Sequence, residues 1–479
     1  MRKVLSVLFA LALVLSFTSP ALAFEDKDCS DFATWGRQKM KKIVKKMLKN
    51  KMIKSLLRPS FLRNGTKMGR WIYRELTPRL ARLMQNLFRV KKGKVVSFGS
   101  GNVSPIQYKL LKQELRKYKG LSVRRYDNFY GRSIISRLIK IPYDAATSEV
   151  IIVEDVNRLL KYLKRNGDQL IIQMWHALGA FKKFALGNAE NLIRIENEDL
   201  EELKAVHTYD YVLDPGLKFR EKYLESFAPG CKILKGVFNP RIDLLFDEEH
   251  IAKKTERLYE KYPELRNKRI LLYTPTYRGY SDRSDAQHFM NFDELLSRLD
   301  DRFMLVLKKH PSMKKSSYNP PSEQYAHKFL DLSNENVNNL MLISDLLIND
   351  YSSTFFEFAL LGKPVVFLAK DLDQYLDDRG FYYDYKEFVP GPICSSEAEL
   401  YEAIMAYIDN PARVKEFVAE YFGEVPTDNA KRFAEFIVGF INRDGVERVK
   451  PKSVPTEISE LEVPQPRKEE HKMVEKELA

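Results

Sequence analysis

The run Asn349-Asp350-Tyr351-Ser352-Ser353 follows three apolar residues, Leu346–Ile348, and leads into Thr354-Phe355-Phe356-Glu357-Phe358-Ala359-Leu360-Leu361-Gly362. This pattern predicts a buried strand, a polar turn and a helix that stops at glycine. Ser352 and Ser353 then stand at a helix start. There, N–H groups without an intrahelical partner and the positive end of the helix dipole favour an anion, above all a phosphate. Glu357, four residues after Ser353, falls on the same helical face. Read alone, the run is first of all an ordinary serine N-cap.

Three further runs repeat the theme of an apolar strand ending in polar groups. Leu170–Met174 is followed by Trp175-His176-Ala177-Leu178-Gly179-Ala180-Phe181-Lys182-Lys183. A histidine at a strand's carboxyl end can serve as a general base near neutral pH, and Lys182 and Lys183 can answer phosphate charge. A buried structural histidine explains His176 equally well in isolation. Tyr273-Thr274-Pro275-Thr276-Tyr277-Arg278 offers Thr276 and Arg278, a hydroxyl and a guanidinium suited to phosphate. Leu307-Lys308-Lys309-His310-Pro311 offers Lys308 and His310, and Asn239-Pro240-Arg241 adds Arg241. Together these residues supply cations, hydroxyls, a helix start and two histidines. No dinucleotide glycine fingerprint and no metal-ligand cluster accompany them. The set suits transfer from a nucleotide-diphosphate donor.

The elements that must position these groups alternate between strand and helix. Val95–Phe98, Val150–Val153, Leu170–Met174, Tyr209–Leu213 and Cys231–Leu234 read as strands of one α/β half. Arg269–Tyr273, Phe303–Lys308, Leu340–Asn349 and Val365–Leu368 read as strands of a second. Two facing doubly wound α/β domains are expected, spanning 94–240 and 241–443, with ligand held in a cleft beyond the strands' carboxyl ends. Residues 444–479, rich in Glu, Lys and Pro, read as a disordered tail.

The net charge of +14 is unevenly spread. Residues 37–94 hold 20 Lys and Arg against one acid, Glu75, leaving the rest of the chain close to neutral. Within 37–58, Met40, Ile43, Val44, Met47 and Leu48 recur at helical spacing among lysines. Such a helix fits an anionic membrane surface, and 70–90 reads as a second one. No nucleic-acid-binding module accompanies the basic run. Arg2 and Lys3, the apolar run Val4–Phe17 and Ala21-Leu22-Ala23 form a signal-like segment over 1–24. It reads as an export signal or as an uncleaved anchor. Residues 25–93 are then the membrane-associating region. The three cysteines, Cys29, Cys231 and Cys394, imply neither a disulfide framework nor a zinc site.

Taken in order, Trp175-His176…Phe181-Lys182-Lys183, Tyr273-Thr274-Pro275-Thr276-Tyr277-Arg278, Lys308-Lys309-His310-Pro311, Asn349-Asp350-Tyr351-Ser352-Ser353 and Arg379-Gly380-Phe381-Tyr382…Pro390-Gly391-Pro392-Ile393 are similar to the CDP-glycerol glycerophosphotransferases. These are the teichoic-acid polymerases and primases of Gram-positive bacteria. The likeness covers roughly residues 94–440 and implies a glycosyltransferase-B-like fold on a peripheral membrane enzyme. It also implies CDP-glycerol as donor and a lipid-linked polyol-phosphate or disaccharide as acceptor. It makes His176 the base and places His310 at the donor phosphates. Arg241, Thr276, Lys308, Ser352 and Ser353 fall at donor-contact positions. Glu357 stands where relatives often have aspartate. Two departures stand out: Trp-His-Ala-Leu-Gly-Ala replaces the Trp-His-Gly-Thr-Pro of many relatives, and Arg241 lies in Gly236-Val237-Phe238-Asn239-Pro240-Arg241.

The expected reaction is attack of an acceptor hydroxyl on the donor's β-phosphorus, with CMP leaving. Mg²⁺ can accompany any pyrophosphate, but no carboxylate cluster demands it. A cytosolic donor calls for the cytoplasmic face of the cell membrane, which favours the anchor reading of 1–24. The signal-like start is also compatible with export. Alternatives are a CDP-ribitol or nucleotide-sugar transferase of the same fold, a non-catalytic basic membrane adaptor, and an exported nucleic-acid-binding protein.

Overall fold

The computed structural model describes residues 71–99, 105–127, 136–196, 199–276, 290–310, 313, 318–378 and 380–451. The signal-like segment, the basic run 37–58, Arg278, Pro311, Arg379 and residues 452–479 lie outside them. Among the described residues no helix is long and apolar enough to cross a membrane.

Strands β1 (Lys91–Phe98), β3 (Ser122–Tyr126), β4 (Ser148–Val153), β5 (Leu170–Gln173), β6 (Tyr211–Leu213) and β7 (Lys232–Leu234) form one sheet in the order β3-β1-β4-β5-β6-β7. β1 pairs in parallel with β3 and β4, and β4 with β5. The central strands β4 and β5 are buried along their whole length, as continuous apolar runs in a parallel sheet require. A second sheet contains β8 (Arg269–Tyr273), β9 (Phe303–Leu307), β10 (Phe329–Asp331), β11 (Leu346–Asn349), β12 (Val365–Leu368) and β13 (Ile393–Cys394). Its order is β10-β9-β8-β11-β12-β13, and every neighbouring pair is parallel. The two α/β halves expected from the alternation are therefore present.

Their boundaries differ from those expected. Among the described residues, one compact unit takes in 71–174, 199–211 and 434–451, and the other the described residues of 175–196 and 212–433. The division falls inside β6 and just before His176, so the His176 run is assigned to the second unit and the strand that precedes it to the first. The chain's end returns to the first unit, where the Arg443 guanidinium meets Glu149 at 2.9 Å. Glu149 is fully buried and also accepts from Lys92 and the Gly93 amide. Beyond it, β14 (Lys450–Pro451) pairs antiparallel with β2 (Tyr118–Lys119). Residues 444–451, expected within the tail, thus belong to the described structure.

The segment 70–90 also departs from expectation. A turn of wide helix, Ile72–Leu76, runs into α1, Thr77–Leu87. Most of its apolar stripe is already occupied, Leu87 at its end being exposed. Ile72, Leu76, Leu80 and Met84 form a buried cluster with Leu138, Ile139 and Ala146, flanked by Trp71, Phe88 and Tyr143. An apolar face consumed by the protein's own core cannot also lie in a bilayer, so α1 is a structural helix. Leu80→Ala should therefore lower stability by about 2–5 kcal/mol, the usual cost of emptying a core leucine site. Chemical denaturation checks this, whereas a membrane-facing Leu80 would leave the unfolding midpoint unchanged.

Candidate functional site

The strand order of the second sheet reverses between β8 and β11. From β8 the chain builds outward to β9 and β10 on one side. From β11 it builds to β12 and β13 on the other. At such a switch point the two adjacent carboxyl ends lead away from each other and leave room for a ligand. Both ends carry predicted motifs. The Thr274 hydroxyl donates to Asn349 Oδ1 at 3.1 Å. The Thr276 amide and hydroxyl both donate to the Asp350 carboxylate, the hydroxyl at 2.5 Å. Asp350 also accepts the Tyr351 amide, and its carbonyl accepts the Tyr385 hydroxyl. The two turns are thereby locked to each other. Thr276, expected as a donor contact, has its hydroxyl engaged within this lock.

The turn after β11 continues as expected into a helix, α2 (Thr354–Leu360). Asn349 Nδ2 donates to the Ser352 carbonyl at 2.8 Å. Ser352 Oγ accepts the Thr354 amide and exchanges a hydrogen bond with the Thr354 hydroxyl. Ser353, at the N-cap position, makes no capping bond with its side chain, so the helix does not consume its hydroxyl.

The His176 run reaches this helix through one aromatic side chain. Phe181 is buried, with ring centroids 5.3 Å from Phe355, 4.7 Å from Phe381 and 5.6 Å from Phe388. Backbone bonds add to it: Lys183 N donates to Gly380 O and Tyr382 N to Phe181 O. Gly179 has φ +57, and a Cβ there would sit 2.8 Å from the Phe356 ring. Conformation and space both require glycine at this point. Three motifs distant in sequence therefore meet in one aromatic cluster.

His176 itself is half-buried, its ring 4.5 Å from that of Trp175. Arg241 Nη1 donates to the His176 carbonyl at 2.5 Å, and Arg241 Nη2 forms an ion pair with Glu357. Glu357 is buried. That burial pushes its carboxyl above the usual range, and the guanidinium pulls it back. Arg241 and Glu357 were both expected to contact the donor; the structure pairs them with each other, because a buried acid needs a cation at hand.

His310 lies three residues beyond β9. Lys308 N donates to Tyr273 O, extending the ladder past the strand. The Lys308 ammonium donates to Ser333 O at 2.6 Å, so it is turned to the protein's own backbone. Neighbouring Lys309 is paired with Asp331 and lies over the Tyr318 ring. His310 is exposed at its surface, yet desolvation of its inner part holds it below the usual histidine value, reinforced by the charges of Lys182 and Lys308. Lys182 and His310 thus belong to one electrostatic locality, and Lys183 is exposed beside it. Among the described residues no group of three or more His, Cys, Asp or Glu is arranged to hold a metal ion.

Residues 81–440 match the model of the family described as CDP-glycerol:poly(glycerophosphate) glycerophosphotransferase. The chain belongs to that family. The teichoic acid poly(ribitol-phosphate) polymerase of Bacillus spizizenii is 32% identical over 399 residues, which is 79% of this chain and 62% of that protein. The chain thus spans less than two thirds of that relative's length. The teichoic acid ribitol-phosphate primase of the same organism is 31% identical over 341 residues, 70% of this chain and 86% of the primase. Among solved structures, the wall teichoic acid polymerase TagF superposes with a TM-score of 0.59 at 21% identity. The match covers 77% of this chain and 94% of the solved chain, a histidine-to-asparagine variant, a likeness of fold.

Sequence reasoning missed Asp350 as the clasp between the turns, and it missed Tyr223, whose hydroxyl donates to the Ala177 carbonyl at 3.0 Å. The adjacency of Asp350 to the strand end was a usable signal. Nothing near Tyr223 in sequence pointed to the His176 run. Removing the Lys182 charge should raise the His310 pKa, because protonation would no longer meet that repulsion. Histidine NMR titration of Lys182→Ala beside the unsubstituted protein checks this, and an unchanged pKa would show that Lys182 lies elsewhere.

Proposed function

We propose that this protein transfers an alditol phosphate from a CDP-alditol to a hydroxyl of a lipid-linked polyol-phosphate or disaccharide acceptor, releasing CMP. The observation that carries this reading is the gathering, within one unit, of the His176 run, the Lys182–His310 locality and the clasped turns of the β8–β11 switch point. The family description supports a CDP-glycerol donor.

In this reading the pyrophosphate lies at the switch point, near the Ser353 hydroxyl, and Lys182 and Lys183 supply compensating charge. Arg278, two residues after Thr276 in the sequence, is assigned to the donor by its side-chain type. The acceptor oxygen attacks the β-phosphorus. One P–O bond forms as the bridging P–O bond to CMP breaks, and CMP leaves with that bridging oxygen. His176 takes the acceptor's proton. His310 is held below its ordinary pKa, which favours its neutral form. In that form it offers one N–H to the transferring phosphate without adding charge. Lys308 acts at one remove, through its field and by holding the loop that carries His310.

CDP-ribitol is the second reading. Both relatives described above are named as ribitol-phosphate enzymes. A screen with CDP-glycerol, CDP-ribitol and nucleotide sugars, reading CMP, UMP and UDP release in the presence of a lipid-linked acceptor, separates these donors. CMP release from one CDP-alditol is expected, and UDP or UMP release would overturn the assignment. His176→Ala should abolish transfer while leaving donor affinity within about threefold, because a base contributes to the barrier far more than to binding. Equal loss of both would make His176 a donor ligand.

We place the protein at the cytoplasmic face of the cell membrane, held by its N-terminal region and the basic run 37–58. The lysines within that apolar-striped run support this placement. Cell fractionation should find the protein with membranes, and deleting 1–58 should shift it to the soluble fraction. An unchanged distribution would assign retention to another segment.

A further inference from the structure

Three consecutive carbonyls of the His176 run are each held by a side chain from elsewhere in the same unit. Asn239 Nδ2 donates to Trp175 O at 3.2 Å, Arg241 Nη1 to His176 O at 2.5 Å, and the Tyr223 hydroxyl to Ala177 O at 3.0 Å. Trp175 has φ 54, a left-handed conformation that a bulky residue adopts only when its surroundings impose it. Its ring packs against Phe184 and Phe227 at 5.0 and 6.0 Å, so both its backbone and its side chain are constrained. The turn that aims His176 is therefore strained and clamped. Such strain persists only where the surrounding contacts over-determine it.

The clamp has an electrostatic anchor. Both terminal nitrogens of Arg241 are engaged, one by His176 O and the other by Glu357, and its Nε is buried without a hydrogen-bond partner. Glu357 sits on α2, the helix that begins beside the β8–β11 switch turns. A guanidinium already neutralised by a buried carboxylate has little charge to offer a pyrophosphate, and the carboxylate would repel one.

We infer that Arg241 and Glu357 are positioning residues for His176, fixing its turn relative to α2, and that Tyr223 and Asn239 complete the clamp. This rests on the reading of His176 as the base. It removes Arg241 and Glu357 from the list of donor contacts. It also gives a physical meaning to the acid at position 357: the site requires a carboxylate there to hold Arg241, whatever alditol the donor carries.

The test compares CMP release with CDP-alditol binding for the full-length protein, using the CDP-alditol that the unsubstituted protein turns over. Glu357→Gln should lower kcat by about ten- to a hundredfold, the scale of a small misplacement of a catalytic group, with donor Kd within about threefold. Glu357→Asp, which keeps the carboxylate, should recover part of that loss. Tyr223→Phe removes one hydroxyl with the ring kept. It should lower kcat by about three- to tenfold with Kd unchanged, and it serves if the Glu357 variants do not fold. Loss of donor affinity in step with kcat would overturn the inference and return the pair to the donor site, and an unchanged kcat would overturn it outright. Failure of the unsubstituted protein to release CMP from either CDP-alditol would instead overturn the proposed function.

Discussion

The site depends on the parallel pairing of β8 with β11. These strands are far apart in sequence, yet Leu346 lies beside Leu271 and Ile348 beside Tyr273. Their registered pairing brings the turn after each strand within hydrogen-bonding reach of the other. Asp350 then accepts from Thr276, and Asn349 from Thr274. Without that register, the polar ends would be separate loops. The pairing is itself driven by burial: all residues of β11 and most of β8 are shielded from water, in a core that also takes in Leu305, Val366 and Leu400.

From that base, rigidity spreads by packing and by charge. Phe355 and Phe356 lie one turn beyond the clasped serines, and their rings receive Phe181. The His176 run thereby becomes part of the second unit although the strand before it belongs to the first. Glu357, next along α2, carries the tie to Arg241 and so to the His176 carbonyl. A single short helix thus supports the hydroxyl-bearing turn, the aromatic anchor and the ionic clamp. Rigid support of this kind keeps reacting groups in place without reorganisation during the reaction.

Cations are divided by role in a way that residue type does not reveal. Lys309 is spent on Asp331 and Lys308 on a backbone carbonyl, while Arg241 is spent on Glu357. Of the two lysines that the motif reading places on the acceptor or phosphate side, Lys183 is exposed and Lys182 donates to the Tyr375 hydroxyl at 3.5 Å. The effect on His310 follows from the same arrangement, since neighbouring positive charge and desolvation both favour its neutral form.

Much of the architecture was legible from the chain alone. Buried parallel strands must be nearly continuous apolar runs, so β4, β5, β9, β11 and β12 announce themselves, and the polar residues that end them mark the candidate site. The motifs around His176, His310 and Ser352 were found in this way, and their order carried the family resemblance. Partnership was not legible. Whether Arg241 meets a phosphate or Glu357, whether Thr276 meets a ligand or Asp350, and whether the stripe of α1 faces lipid or Leu138 all depend on which surfaces approach each other in space. Amphipathic spacing shows that a face will be buried but not against what, and a charge shows that a partner is needed but not which. The sequence by itself determined which residues could do chemistry. Only the tertiary structure decided which of them remain available for it, because hydrogen bonds and ion pairs form between whichever groups the fold brings within about 3 Å.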